Sequence, residues 1–387
     1  MKKLIKLIVI FFFLVSSSFA NTIKEQDIYI YEGSKIKISD AKRIIEYIKK
    51  NENEVLAWGY AVNFYKVDKY GISESKKEYK IRDFYARKYL KEKKIKNIPK
   101  TYGAFKYKEN YYIIADYFNG NYGYIKGITT QQLKNVMNTL FGLDKLFFYH
   151  KDLHVENILF SQETNKINII DFDSIYYIDN NGSIQIQIEN NDVCSKKSKC
   201  LYSKINNLND KLDLINPYAD NIFLYIPSNI NSLENRFLGK MFLSQQSKNN
   251  QFLKFDEYLK VKALYIEKRH NFYSKILLFS RNKADNINEL KFALKIDKAI
   301  ANVLKKETHK IKELEKIKMK IREQSIIIYW GDTTNPAENK EKIKKLFLEL
   351  RNEIKKIENS KIDNRDFKLY IFSVKKWIEV WEPISLN

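Results

Sequence analysis

The chain has 387 residues, with 69 Lys and Arg against 47 Asp and Glu, 44% hydrophobic residues, 14% aromatics, and only 11 Gly and 5 Pro. This composition excludes collagen-like, disulfide-scaffold and low-complexity classes, and it supplies apolar surface for one large core or two smaller ones. The net charge of +22 invites a nucleic-acid or anionic-membrane reading. Only 9 of the 69 basic residues are Arg, however, and dispersed Lys marks a solvated face, whereas bidentate phosphate recognition favours Arg. Nucleic acid is therefore disfavoured as a partner.

The first twenty residues combine Lys2, Lys3 and Lys6 with an apolar run over residues 7–15 and the small-x-small triplet Ser18-Phe19-Ala20. This is the pattern of a secretory signal peptide, with cleavage expected after Ala20. The apolar run is too short to span a bilayer, and no later stretch reaches that length. The expectation is an exported protein, periplasmic, secreted or delivered into another cell, with no transmembrane segment in the mature chain. Cys194 and Cys200 lie in the hydrophilic run C-S-K-K-S-K-C, where an oxidising compartment makes a local disulfide the economical expectation.

Residues 28–31 alternate like a strand, and Ser39-Asp40 opens an amphipathic helix through Ile44, Ile45 and Ile48. Residues 55–67 read as two short strands around Gly59. Residues 74–96 read as a charged helix stopped before Pro99. Residues 101–118 read as a hairpin turning at Lys108-Glu109-Asn110. From Thr129 the apolar period changes to three and four, through Leu133, Val136, Met137, Leu140 and Leu143, which predicts a helix to about Tyr149. Two short apolar runs follow, at residues 158–160 and 167–170.

Between that helix and those strands stands H150-K-D-L-H-V-E-N157, and the second strand ends in I-I-D171-F-D173. These motifs resemble the protein-kinase-like superfamily, with its catalytic loop H-x-D-x4-N and its metal-binding D-F-G. The resemblance implies ATP and Mg²⁺ or Mn²⁺ as cofactors. It assigns Asp152 to orienting the acceptor hydroxyl and taking its proton, and Asn157 and Asp171 to holding the metal. His150 and Phe172 would pack the catalytic core.

Upstream, V62-N-F-Y-K66-V offers Lys66 as the third-strand lysine that holds the α/β phosphates, with Lys69 next in line. Glu78, or its rival Glu74, would be the carboxylate partner on the following helix. Asp116 to Phe118 falls where the interlobe connection binds adenine. G-x-G-x-x-G is absent, and Gly59 is the only glycine between the first two strands, so phosphate cradling must take another form. His154 stands two residues beyond Asp152, as in aminoglycoside phosphotransferases, choline kinases and lipopolysaccharide sugar kinases. Asp173 replaces the Gly of D-F-G, as in those families, and is either a second metal ligand or a surface or capping carboxylate. Asp220, in N216-P-Y-A-D, would tie back the catalytic-loop backbone. The span 174–216 stands where an activation segment would lie, with a hairpin turn at Asp179-Asn-Asn-Gly182.

Beyond about residue 240 the motifs stop. Residues 288–323 read as one long helix, and residues 325–387 as strand, helix and strand. The expected fold is α+β and two-lobed: signal peptide 1–20, a β-rich N-lobe with its extension over 21–118, a mainly helical C-lobe over 119–287, and a long helix with a small α/β appendage over 288–387. The expected activity is an exported ATP-dependent phosphotransferase acting on a hydroxyl, narrowly preferred as a protein (Ser/Thr) kinase-like enzyme. A small-molecule kinase for a sugar, lipid headgroup or aminoglycoside is the alternative, and a non-catalytic pseudokinase module is the rival from another class.

Overall fold

The computed structural model describes residues 23–51, 55–59, 62–122, 127–146, 148–150, 152–154, 156–161, 163–179, 182–185, 229–239, 242, 253–279, 287–329, 335–360 and 364–386. The signal-peptide pattern, Cys194, Cys200 and Asp220 lie outside the described residues. The chain forms two compact units, residues 1–84 with 100–117 and residues 85–99 with 118–387. One is built on a β-sheet and the other is mostly helical, which is the α+β arrangement expected.

The first unit is a six-stranded antiparallel sheet, β1 (Ile28–Ile30), β2 (Ala57–Gly59), β3 (Val62–Val67), β4 (Tyr70–Ser75), β5 (Thr101–Tyr107) and β6 (Asn110–Asp116), in the order β1-β5-β6-β4-β3-β2. Helix α1 (Ile38–Lys50) begins where the Asp40 carboxylate accepts from the Lys37 N–H at 2.9 Å, one of the donors a helix start leaves open. Its buried stripe, Ala41, Ile44, Ile45 and Ile48, joins Tyr65, Val67, Ile72, Phe105, Tyr107, Tyr112 and Ile114 of the sheet in one core. Residues 74–96 do not form one helix. Tyr70–Ser75 pairs with both β3 and β6, and helix α2 runs only from Ile81 to Glu92 after a short 3₁₀ turn at Glu78–Lys80. Strand pairing on both sides outweighs the weak helix propensity of this charged stretch.

In the second unit, β7 (Asn121–Tyr122) pairs with β9 (Ile158–Phe160), and β9 pairs with β10 (Ile167–Ile169). Helix α3 (Thr130–Asp144) starts with a capping box in which Thr129 and Gln132 exchange hydrogen bonds of 3.0 Å each. It ends earlier than the apolar period suggested, because Phe148–His150 forms a strand, β8, against β11 (Ile175–Asp179). Strands β11 and β12 (Gly182–Gln185) pair with Asp179 opposite Gly182, the register of the expected turn.

The remaining described elements are helices: α4 (Asn229–Leu233), which runs into a π turn at Glu234–Leu238, α5 (Phe255–Phe279), α6 (Ile287–Lys306), α7 (Thr308–Tyr329), α8 (Pro336–Asn359) and α9 (Arg365–Leu386). None is long and apolar enough to cross a membrane. Two expectations fail here. The single helix over 288–323 is broken at Glu307, and the break lets α6 pack against α5 and α9 while α7 packs against α8. The small α/β appendage is all helical among the described residues. Its supposed second strand belongs to α9, whose buried Phe367, Tyr370, Ile371, Val374, Trp377 and Ile378 repeat at three and four.

A buried charge cluster ties these helices together. Lys262 of α5 lies 2.6 Å from Glu234 and 2.9 Å from Glu315 of α7; Arg322 also pairs with Glu234, and Lys318 lies 2.8 Å from Glu315. Burial pushes the Glu234 carboxyl up, but Lys262 and Arg322 outweigh it and hold it at about 2. Lys262→Met should cost on the order of 3–5 kcal/mol in urea unfolding, because it strips a buried carboxylate pair of its shared cation. The folded value of Glu234 lies below its ordinary 4.5, so its stabilisation is present above the ordinary value and lost as pH falls toward about 2. The urea midpoint should drop across that window.

Candidate active site

Strand β8 ends at His150, and β9 and β10 pair with Ile158 opposite Ile169. The Ile170 N–H donates to the Asn157 carbonyl at 3.0 Å, while the Ile170 carbonyl accepts from His150 Nε2 at 2.8 Å. A carbonyl can only accept, so His150 carries its proton on Nε2 and leaves Nδ1 to accept the Asp152 N–H at 3.3 Å. His150 is 1% exposed, and the Phe172 ring packs on it at 4.9 Å. Its role is to join the loop to the strand end.

Within the loop, Asn157 Nδ2 donates to the Asp152 carbonyl at 2.8 Å and lies 3.2 Å from Asp152 Oδ2. His154 Nε2 is 3.3 Å from Asp152 Oδ2 and 2.9 Å from Asn157 Nδ2. These two contacts exclude each other, since a nitrogen that accepts from the amide has no proton for the carboxylate. Asp152 remains 27% exposed at its side chain, open to a substrate. Asp171 follows the clamped Ile170 with φ 62°, the left-handed region that Asp enters more readily than most residues but at a cost on the order of 1 kcal/mol. Asp173 is buried on the 3₁₀ turn Phe172–Ser174.

These donors fit a magnesium-type ion. Asn157 spends its Nδ2 on the loop, so its carbonyl oxygen is the end left to a cation, and Asp171 adds a hard carboxylate. Among the described residues no group of three or more His, Cys, Asp or Glu forms a protein cage. Mg²⁺ needs none, because it keeps waters and phosphate oxygens as its other ligands.

In the first unit the sequence expectations are redistributed. The strand that feeds α2 is β4, and Lys66 stands one strand earlier, on β3. The register sets Lys66 opposite Gly71 and Phe64 opposite Ser73, so Lys66 shares a face with Ser73. Lys66 is exposed, with its amine 4.7 Å above the Tyr117 ring. A β-carbon at Gly71 would lie 2.7 Å from the Phe64 ring, so this face depends on that glycine. Lys69 lies at the β3–β4 turn, its amine over Tyr70.

Glu74 is paired with Asn63 and therefore points to the opposite face from Lys66; it is not the lysine's partner. Its carboxylate accepts from Tyr112 at 2.7 Å, Asn110 at 2.9 Å and Tyr65 at 3.1 Å, in a cavity of about 570 Å³ beside α1. Glu78 is exposed on the 3₁₀ turn, and no ion pair joins it to Lys66 among the described residues. The buried carboxylate of α2 is Asp83, 5% exposed, and not either of the two carboxylates expected from the sequence. Gly59 ends β2 opposite Val62. Asp116 ends β6, accepting from the Tyr102 hydroxyl at 2.7 Å, and this bond raises the Tyr102 hydroxyl to about 12. Phe118 is half-buried just past the point where the chain passes from the first unit to the second.

Two residues outside the sequence motifs, Asn229 and Asp144, hold β8. Asn229 Oδ1 accepts the His150 N–H at 2.8 Å, and Asn229 Nδ2 donates to the Phe148 carbonyl at 2.8 Å and to Asp144 Oδ1 at 2.7 Å. Asn229 carries no sequence signal. Asp144 does, since it falls four residues after Leu140, a charge on an apolar stripe.

Residues 59–196 match the family model described as the protein kinase domain. The chain is protein-kinase-like over this span, which covers less than half its length and contains the whole loop from His150 to Asp173. No curated protein matches the chain. The matched family and the assembled loop together support a kinase-like phosphotransferase.

Because His150 is a buried bridge, His150→Leu should lower stability by about 1–3 kcal/mol, by leaving the Ile170 carbonyl and the Asp152 N–H unpaired. Asp171→Gly should change stability by no more than about 1 kcal/mol, since glycine removes the left-handed strain. Urea denaturation of the two variants checks both.

Proposed function

We propose that this protein is an ATP-dependent phosphotransferase that moves the γ-phosphoryl group to a hydroxyl acceptor. The observation that carries the reading is the convergence of Asp152, Asn157 and Asp171 on one hydrogen-bonded frame. Asp152 orients the acceptor hydroxyl and takes its proton. Asn157 and Asp171 hold the cation, which when bound neutralises charge on the triphosphate. Lys66 supplies the phosphate-holding ammonium from β3, since β4 contains no lysine on the face that it shares with Ser73. Backbone groups from Asp116 to Phe118 receive the adenine. A pure scaffold has no use for all three loop residues, which favours catalysis over a pseudokinase role.

The preferred acceptor is a protein hydroxyl, because the sequence span 174–216 has the length of an activation segment. The small-molecule reading draws on His154, which gives the loop its similarity to small-molecule kinases and lies 3.3 Å from the Asp152 carboxylate. The leader pattern supports export, and N-terminal sequencing of protein recovered from outside the cytoplasm should begin at Asn21.

Incubating residues 21–387 with labelled ATP and Mg²⁺ or Mn²⁺ and a lysate divided into protein, glycan and small-molecule pools identifies the acceptor class by the pool that takes up label. Asp152→Ala should abolish transfer and spare nucleotide binding, whereas Asp171→Ala should abolish transfer and metal-dependent nucleotide binding. Lys66→Ala should lower transfer by about 10-fold or more, and Lys69→Ala by less than about 2-fold. Unchanged transfer in either Asp variant would sink the assignment.

A further inference from the structure

Asp144 ends α3 on the face where Leu133, Val136, Met137, Leu140 and Leu143 are buried, and it is only 2% exposed. A charge there is costly unless hydrogen bonds hold it. Oδ1 accepts from the Asn229 backbone N–H at 3.2 Å and from Asn229 Nδ2 at 2.7 Å, and Oδ2 accepts from the Tyr265 hydroxyl. Arg269 and Tyr273 also act on it from α5, and Arg269 is paired with Asp297 of α6 at 3.2 Å. On β8 the titratable neighbour is His150, which meets Asn229 through its backbone N–H.

The consequence is directional. A side-chain amide has an acceptor at one end and donors at the other, in nearly the same shape. A carboxylate can only accept. Asp144 therefore obliges Asn229 to turn its Nδ2 inward, which leaves Oδ1 as the end that takes the His150 N–H. The same Nδ2 reaches the Phe148 carbonyl, so both ends of β8 are pinned.

We propose that Asp144 is a positioning residue for phosphoryl transfer: acting through Asn229, it sets β8 and hence the His150 bridge that holds the Asp152 loop against the Ile170–Asp171 strand end. This inference rests on the phosphotransferase reading. Burial raises the Asp144 carboxyl to about 6, with the Tyr265 hydroxyl, Arg269 and Asn229 opposing it. Protonation turns one acceptor into a donor, so the hold on Asn229 weakens as pH falls through that value.

Asp144→Asn should lower kcat by about 10-fold or more, with nucleotide affinity within about 2-fold, because the substituted residue touches no substrate. Hydrogen exchange at the His150 amide should quicken by about 10-fold or more in the same variant. The exchanged pair, Asp144→Asn with Asn229→Asp, restores one carboxylate and one amide and should recover part of kcat. If Asp144→Asn does not fold, Tyr265→Phe serves instead; by removing the Oδ2 donor it should move the acid limb of the kcat profile to higher pH. Wild-type kcat with unchanged His150 exchange, an equal loss of nucleotide affinity, or an unmoved acid limb in Tyr265→Phe would overturn the proposal. If the native chain labels no acceptor pool, the phosphotransferase reading has failed, and the His150 exchange rate still decides the positioning role.

Discussion

The Ile170 peptide is held at both ends, by the Asn157 carbonyl on its N–H and by His150 on its carbonyl. Everything chemical in the second unit depends on this clamp. It brings the end of β10 to the end of the loop, so that Asp171 follows directly from a residue already fixed. The left-handed backbone at Asp171 persists because its predecessor cannot relax. The same His150 that grips Ile170 accepts the Asp152 N–H, so one imidazole sets both the loop and the strand.

Behind the clamp lie two buried polar networks, and both start from the segment Asn229–Leu238. Asn229 holds β8 on one side, and Glu234 joins Lys262 and Arg322 on the other. Helices α5 and α7 are thus linked, through a single short segment, to the strand that carries His150. Buried ion pairs seldom add much net stability over apolar packing, but removing one partner is costly. The described helices from Ile287 onward belong to the same compact unit as the Asp152 loop.

In the first unit the governing constraint is strand alternation. A sheet has two faces, and a residue's parity decides which it serves. Lys66 and Ser73 share one face, while Glu74, with Tyr65 and Tyr112, faces α1. A carboxylate near a lysine in sequence can therefore be separated from it by the full thickness of the sheet, and the buried Asp83 of α2 is the carboxylate that burial singles out instead.

By itself the sequence determined the chemistry-bearing loop, since His150, Asp152, Asn157, Asp171 and Phe172 are local motifs whose spacing needs no tertiary information. It also determined α1, the whole of α3, whose apolar period overruns its end, and the β5–β6 hairpin, where apolar period and turn residues agree. Only the tertiary structure decided that residues 70–75 are a strand, because pairing with β3 and β6 is non-local and outweighs propensity. The all-helical end was partly legible in the three-and-four spacing from Phe367 to Ile378, but short apolar runs such as residues 326–329 suit strand and helix alike, and periodicity does not choose between them. The break at Glu307 left no mark, because Leu304 and Ile311 keep the helical period across it. Asn229 was invisible for a plainer reason: it acts by holding Asp144, Phe148 and His150, which lie about eighty residues away in sequence and meet it only in the fold.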